Sequence, residues 1–103
     1  RREGVFYLLS SMGNWRDGSY HVLVSRSNSI DGPWERLRGP DGAPYSLLQT
    51  VEGQWGPGHN SMFLGPDGEW WICYHAWDKE KTGRYPWVAP VAWDSRGYPS
   101  VEQ

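Results

Sequence analysis

The residues best placed to do chemistry are His59, His75 and Asp78, all within the stretch Gly56 to Asp78. An imidazole titrates near neutral pH and serves as general acid, general base or metal ligand. Two of them with a carboxylate nearby make a candidate metal or catalytic pair. The intervening sequence says how they meet. His59-Asn60-Ser61 opens an apolar run, Met62-Phe63-Leu64, which Gly65-Pro66-Asp67-Gly68 breaks as a tight turn would. Glu69 to Trp77 follows, rich in aromatic and β-branched residues that fit a strand better than a helix. The pattern predicts a β-hairpin with His59 entering its first strand and His75 leaving its second. Those ends are neighbours in an antiparallel pair, with Asp78 just beyond.

The elements that must hold this hairpin are short strands. The chain has 103 residues, enough for one small domain with a modest core. Its 8 Trp and 6 Tyr are many for a hydrophobic fraction of 38%, and its 13 Gly and 8 Pro supply turns. Short aromatic strands between Gly/Pro/Asp turns predict an all-β protein. Each Trp either fills the core or stacks on a sugar ring, for which its apolar face and polar tip are suited. The formal net charge of -2 excludes the basic footprint of a nucleic-acid binder. The apolar runs are far too short to span a bilayer. The lone Cys73 excludes an internal disulfide, and no charge pattern marks it as a nucleophile. The start at Arg1-Arg2-Glu3-Gly4, straight into a strand-like segment, reads as a piece of a longer or processed chain.

Along the chain, Val5 to Met12, Tyr20 to Ser27 and Trp34 to Leu37 are predicted as a three-stranded antiparallel meander, residues 1–38. Residues 39–58 read as a long connection with a brief apolar piece at Tyr45 to Leu48. Residues 59–103 form a second meander: the hairpin, a third strand from Tyr85 to Trp93, and a short last strand from Pro99. Pro86 and Pro90 place that third strand at an edge or a bulge. The two halves rhyme at about the period of a propeller blade. Two blades do not close a circle, so further blades or further copies are implied.

An ordered set of motifs then stands out. It comprises Gly58-His59-Asn60-Ser61, Asp67-Gly68-Glu69-Trp70, Tyr74-His75-Ala76-Trp77-Asp78, Gly83-Arg84, Trp93-Asp94 and Gly97-Tyr98-Pro99. With Val24-Ser25-Arg26-Ser27 and Gly32-Pro33-Trp34-Glu35, it resembles the C-terminal end of a glycoside hydrolase family 43 catalytic domain. The family covers arabinanases, arabinofuranosidases and β-xylosidases. The resemblance implies a five-bladed β-propeller, of which this chain makes about two blades.

It also implies an inverting mechanism in which two carboxylates flank the sugar. Those carboxylates lie upstream of the matched region, so no catalytic residue is assigned here. Glu3 aligns with a turn on the wrong side of its strand. The resemblance implies His59 as the residue at the propeller axis, beside a calcium ion held mostly by water in a complete propeller. In the isolated chain a structural role for His59 is the alternative. Arg84 matches an arginine aimed at the sugar subsite, or is a surface hairpin arginine. Trp77 is a stacking candidate, and His75 is either part of the subsite or a satisfied strand histidine. His21 reads as structural.

Two functions follow as expectations. In one, the chain is part of a glycosidase acting on arabinose- or xylose-containing plant polysaccharide, inactive alone for want of its carboxylates. In the other, it is a non-catalytic module that self-associates and binds oligosaccharide through Trp15, Trp55, Trp77 and Trp87.

Overall fold

A computed structural model describes residues 1–103. It contains nine strands and no helix: β1 (Phe6–Met12), β2 (His21–Ser27), β3 (Glu35–Arg36), β4 (Ser46–Leu48), β5 (Trp55–Leu64), β6 (Trp70–Trp77), β7 (Arg84–Pro90), β8 (Ala92–Trp93) and β9 (Pro99–Ser100). All pairings are antiparallel, as the turn-rich sequence predicts.

The first sheet is built on β2. β1 runs along one side from Phe6 opposite Ser27 to Met12 opposite His21. The other side is shared. β3 pairs with Ser25 and Arg26, and β4 pairs with Val22 and Leu23. The expected long connection over 39–58 is therefore interrupted by strand. Ser46–Leu48 is β4, and β5 already begins at Trp55. β4 forms because Leu47 and Leu48 are both buried, which a three-residue apolar run does not announce. Between β3 and β4 the chain makes a small excursion closed by the Arg38–Pro44 bridge.

The second sheet has the order β5-β6-β7. β7 pairs only with β6, so Pro86 and Pro90 sit on an edge strand, where their missing donors cost nothing. The chain leaves this sheet at Val91, whose amide still donates to the Trp70 carbonyl. β8 then pairs with β9, so the expected continuous strand to Trp93 is two strands. This last hairpin returns to the first sheet. The Tyr7 hydroxyl donates to the Gly97 carbonyl at 2.8 Å, and the Tyr45 hydroxyl to the Pro99 carbonyl at 2.8 Å.

The core lies between the sheets. Val22 and Val24 of β2, Leu37, Leu47, Leu48, Ile72, Tyr74 and Val91 form one buried cluster. Fully burying one such aliphatic side chain is worth about 1.5–3 kcal/mol. Only 18 of 103 residues are buried, so large parts of both sheets remain open. Phe63, Leu64 and Val88 of the second sheet are exposed.

Candidate functional site

The site is made by irregularities in β5. Trp55 faces Trp77, Gly58 faces His75 and Ser61 faces Cys73 in the β5–β6 register. Two residues on β5 therefore oppose one on β6 twice in succession. Each of these bulges contains a left-handed residue, Gly56 at φ +59° and His59 at φ +49°. Glycine accepts this conformation freely, whereas histidine is strained in it by roughly 1–2 kcal/mol. Strained non-glycine residues cluster at functional sites. Gly58, between them, is required for another reason. A Cβ there would lie 2.0 Å from the Tyr20 ring.

The bulges bring His59 over His75, with ring centroids 5.7 Å apart. The His59 amide donates to the Ser11 hydroxyl at 3.3 Å, which ties the bulge to the first sheet. Tyr20 stacks on His75, with centroids 6.3 Å apart and planes within 16°. His75 Nδ1 is buried and has no hydrogen-bond partner. Loss of solvent around the ring, then the Arg84 charge, then the His59 charge hold its pKa below the ordinary imidazole value.

Arg84 lies directly across from Trp77 in the β6–β7 register, and His75 lies across from Pro86. Successive odd positions of a strand share a face, so Trp77, His75 and Cys73 point the same way. The Arg84 guanidinium lies 4.5 Å from the Trp15 ring centroid and 5.8 Å from that of Trp77. Trp77 is itself fixed, because its Nε1 donates to the Trp15 carbonyl at 3.0 Å. His59, Cys73, His75, Arg84 and Tyr85 line an open depression of about 570 Å³.

The structure thus brings His59, His75 and Arg84 to one cavity, with Trp77 at its margin. Asp78 is not aimed at the histidines. Its carboxylate accepts from the Thr82 amide at 2.7 Å and closes the hairpin tip, and the hydrogen bonds from Thr82 lower its pKa. His21 bonds the Ser19 carbonyl through Nδ1 at 2.6 Å, a structural contact. Trp87 is partly buried and packs against the core. Trp55 carries the Lys81 ammonium 3.8 Å from its ring centroid. Tyr20 and Ser11 went unnoticed in the sequence. Both act across a long chain separation, for which the local pattern holds no signal.

Calcium takes roughly six to eight oxygen ligands, several of them carboxylates. The depression is lined by imidazole, thiol and guanidinium groups without any Asp or Glu. No group of three or more His, Cys, Asp or Glu side chains in the chain is close enough to hold a metal ion. The chain by itself therefore supplies an imidazole and no carboxylate toward the water-held ion that the resemblance implies for a complete propeller.

A larger depression, about 630 Å³, lies at the opposite end of the β1–β2 hairpin, with Arg2, Arg26 and Arg96 in its wall. Each of those arginines is ion-paired, to Glu3, Glu35 and Asp94 respectively. Glu3 in its wall is also left-handed, at φ +51°, but its arginines are already paired with carboxylates, whereas Arg84 is not.

The sequence model for glycosyl hydrolases family 43 matches residues 1–99. The chain belongs to that family. This family 43 chain is 30% identical, over its whole length, to the extracellular exo-α-(1→5)-L-arabinofuranosidase ArbA of Cellvibrio japonicus, of which it covers 31%. It is 35% identical over 73% of its length to the β-D-galactofuranosidase xynD of Aspergillus niger, covering 21% of that protein. The α-L-arabinanase of Cellvibrio cellulosa, solved with arabinohexaose, superposes on 99% of the chain with a TM-score of 0.82 and 27% identity, and the chain covers 34% of it. A thermostable family-43 glycoside hydrolase superposes on the whole chain with a TM-score of 0.84 at 25% identity, 33% of that structure being covered. The chain therefore spans a third or less of the curated relatives it matches. Its sheets correspond to part of the five-bladed β-propeller of its structural relatives.

Proposed function

We propose that this chain supplies sugar-binding surface to a family 43 glycoside hydrolase acting on arabinose- or xylose-containing polysaccharide, and that alone it does not hydrolyse. The carrying observation is the Arg84 guanidinium, held over Trp15 and beside His59 and His75 in a cavity without a carboxylate. A planar guanidinium donates to two sugar hydroxyls at once. Trp77 lies beside the guanidinium, and His75 lines the depression. Inversion at a glycosidic carbon needs two carboxyl groups about 6.5–9.5 Å apart across the bond. None lines this depression. Residues 59–103 carry His59, His75, Trp77 and Arg84, and residues 1–38 contribute Trp15 and Tyr20.

The test is an assay of the purified chain on aryl arabinofuranoside, aryl xyloside and arabinan, with tryptophan fluorescence titration by arabino- and xylo-oligosaccharides. Binding without turnover is the expected result. Turnover that survives purification and follows the chain would overturn it.

A second reading has its own observation. Phe63, Leu64 and Val88 are exposed on the second sheet, and β7 presents an unpaired edge. Open apolar faces and free edges favour self-association. Light scattering across a concentration series tests it, and a monomer throughout rules it out.

A further inference from the structure

We propose that the cavity at the Phe6 and Ser27 end of the β1–β2 hairpin is a second carbohydrate site, which takes a neutral sugar unit against Trp34. It shares no residue with the His59 depression and lies at the other end of β1, about 20 Å away along the strand.

Three segments of this chain build its walls and are tied to one another. They are the turn from Arg2 to Val5, the end of β2 with the turn that follows it, and the β8–β9 turn. The Tyr7 hydroxyl donates to the Gly97 carbonyl at 2.8 Å, and Arg26 Nη1 donates to the Arg96 carbonyl at 2.6 Å. Gly97 is left-handed at φ +78°, and a Cβ there would lie 2.9 Å from the Tyr7 hydroxyl. The cavity is therefore preformed, and its volume of about 630 Å³ is that of a small-molecule site.

The groups present complement a sugar. A sugar ring offers a C–H face for an aromatic surface, and hydroxyls that both donate and accept. Trp34 is 37% exposed and lines the cavity. Its position is set by Gly32, where a Cβ would lie 3.0 Å from Trp34 Cδ1. Around it, Arg2, Arg26 and Arg96 supply donors, and Glu3 and Glu35 supply acceptors. The Arg2–Glu3 and Arg26–Glu35 pairs are loose, at 3.5 and 3.8 Å, and the two glutamate side chains are 77% and 66% exposed. Their oxygens keep capacity for ligand hydroxyls. With Asp94 on Arg96, each of the three arginines meets one carboxylate, so the cavity favours a neutral ligand over an ionic one.

Glu3 is the second observation. Arg2 and Val5 exchange two backbone hydrogen bonds, at 2.8 and 2.9 Å, around Glu3 at φ +51° and Gly4 at φ +80°. Asn, Asp and Gly suit the first central position of such a turn, and glutamate is strained in it. The exposed contact with Arg2 is of a kind that contributes little. Neither the turn nor the ion pair accounts for a glutamate here, whereas a ligand hydroxyl accepted by its carboxylate does.

The experiment titrates the isotope-labelled full chain with xylohexaose, arabinohexaose and a galacturonic acid hexamer. NMR follows the amides of Glu3, Asn28 and Gly97 and the Trp34 indole N–H, and separately the His75 imidazole. A neutral hexamer is expected to shift the cavity signals and to bind there more tightly than the acidic one. Trp34→Ala should weaken that binding about tenfold. Trp77→Ala should leave it intact. Glu3→Asn should weaken it about threefold while the melting temperature holds or rises, because Asn suits the turn. Unchanged affinity in Trp34→Ala, or a lower melting temperature with unchanged affinity in Glu3→Asn, would overturn the inference. So would tighter binding of the acidic hexamer. Shifts confined to His75 overturn it and leave the sugar-binding reading of the His59 depression standing. Shifts confined to the cavity support it and count against that reading. If no sugar shifts either set, both fail.

Discussion

The imidazole rings of His59 and His75 lie with centroids 5.7 Å apart and planes inclined at 54°. Two adjacent bulges in β5 produce this approach, because each adds a residue that β6 does not match. Gly58 is the point between them where the Tyr20 ring passes closest.

Gly58→Ala should destabilise the fold by about 1–3 kcal/mol, the usual range for overpacking. The new methyl would meet the Tyr20 ring, whose stacking on His75 limits its retreat. Urea denaturation measures the loss. A variant as stable as the parent would show that Tyr20 is free to move.

His59→Gly should leave stability unchanged or raise it by about 0–1 kcal/mol, since glycine accepts φ +49° without strain. The exposed ring makes few contacts to lose. Sugar affinity should fall in the same variant. A loss of about 2 kcal/mol in stability would mean that His59 is there for packing.

Stability should depend on pH through His75. Its folded pKa lies below the unfolded value of about 6.5, because of burial first and of Arg84 and His59 next. The unfolded chain therefore binds more protons between those two values. This contribution is complete above about pH 6.5 and is lost as pH falls through the folded pKa. Asp17, Asp67, Asp78 and Asp94 also have lowered pKa values, through turn hydrogen bonds, but they act in the carboxylate range further down. Urea midpoints should rise with pH across the imidazole interval, and His75→Gln should flatten that slope. A parent profile already flat there contradicts the assignment.

Leu48→Ala should cost about 2–5 kcal/mol, the range for emptying a core position. Leu48 is fully buried and belongs to the three-residue strand that joins β2. Thermal unfolding followed by circular dichroism reports it. A loss below about 1 kcal/mol would mean that β4 is dispensable.

Much of this was legible in local pattern. The turn Gly65 to Gly68, between an apolar run and an aromatic run, predicts the β5–β6 hairpin and so the meeting of His59 and His75. Pro86 and Pro90 predict an edge or a bulge, since neither donates to a ladder, and β7 is an edge strand. The alternation in Tyr20 to Ser27 predicts β2 within one residue. What escaped was non-local. β4 is three residues long and exists because β2 has an open flank and the core has room for Leu47 and Leu48. Neither condition is written in residues 46–48.

The same division holds at the candidate site. Residue order places an arginine after the hairpin tip, one histidine on each strand, and glycines before His59, because strand periodicity and turn chemistry act over a few residues. The doubled bulge appears only in the β5–β6 register, and the seating of Tyr20 on His75 and of Trp15 on Arg84 arises only when distant segments of the chain pack. So does the absence of any carboxylate from the cavity of an acidic chain. Net charge is a sum over the sequence, whereas a local field depends on which side chains the fold turns toward the same point.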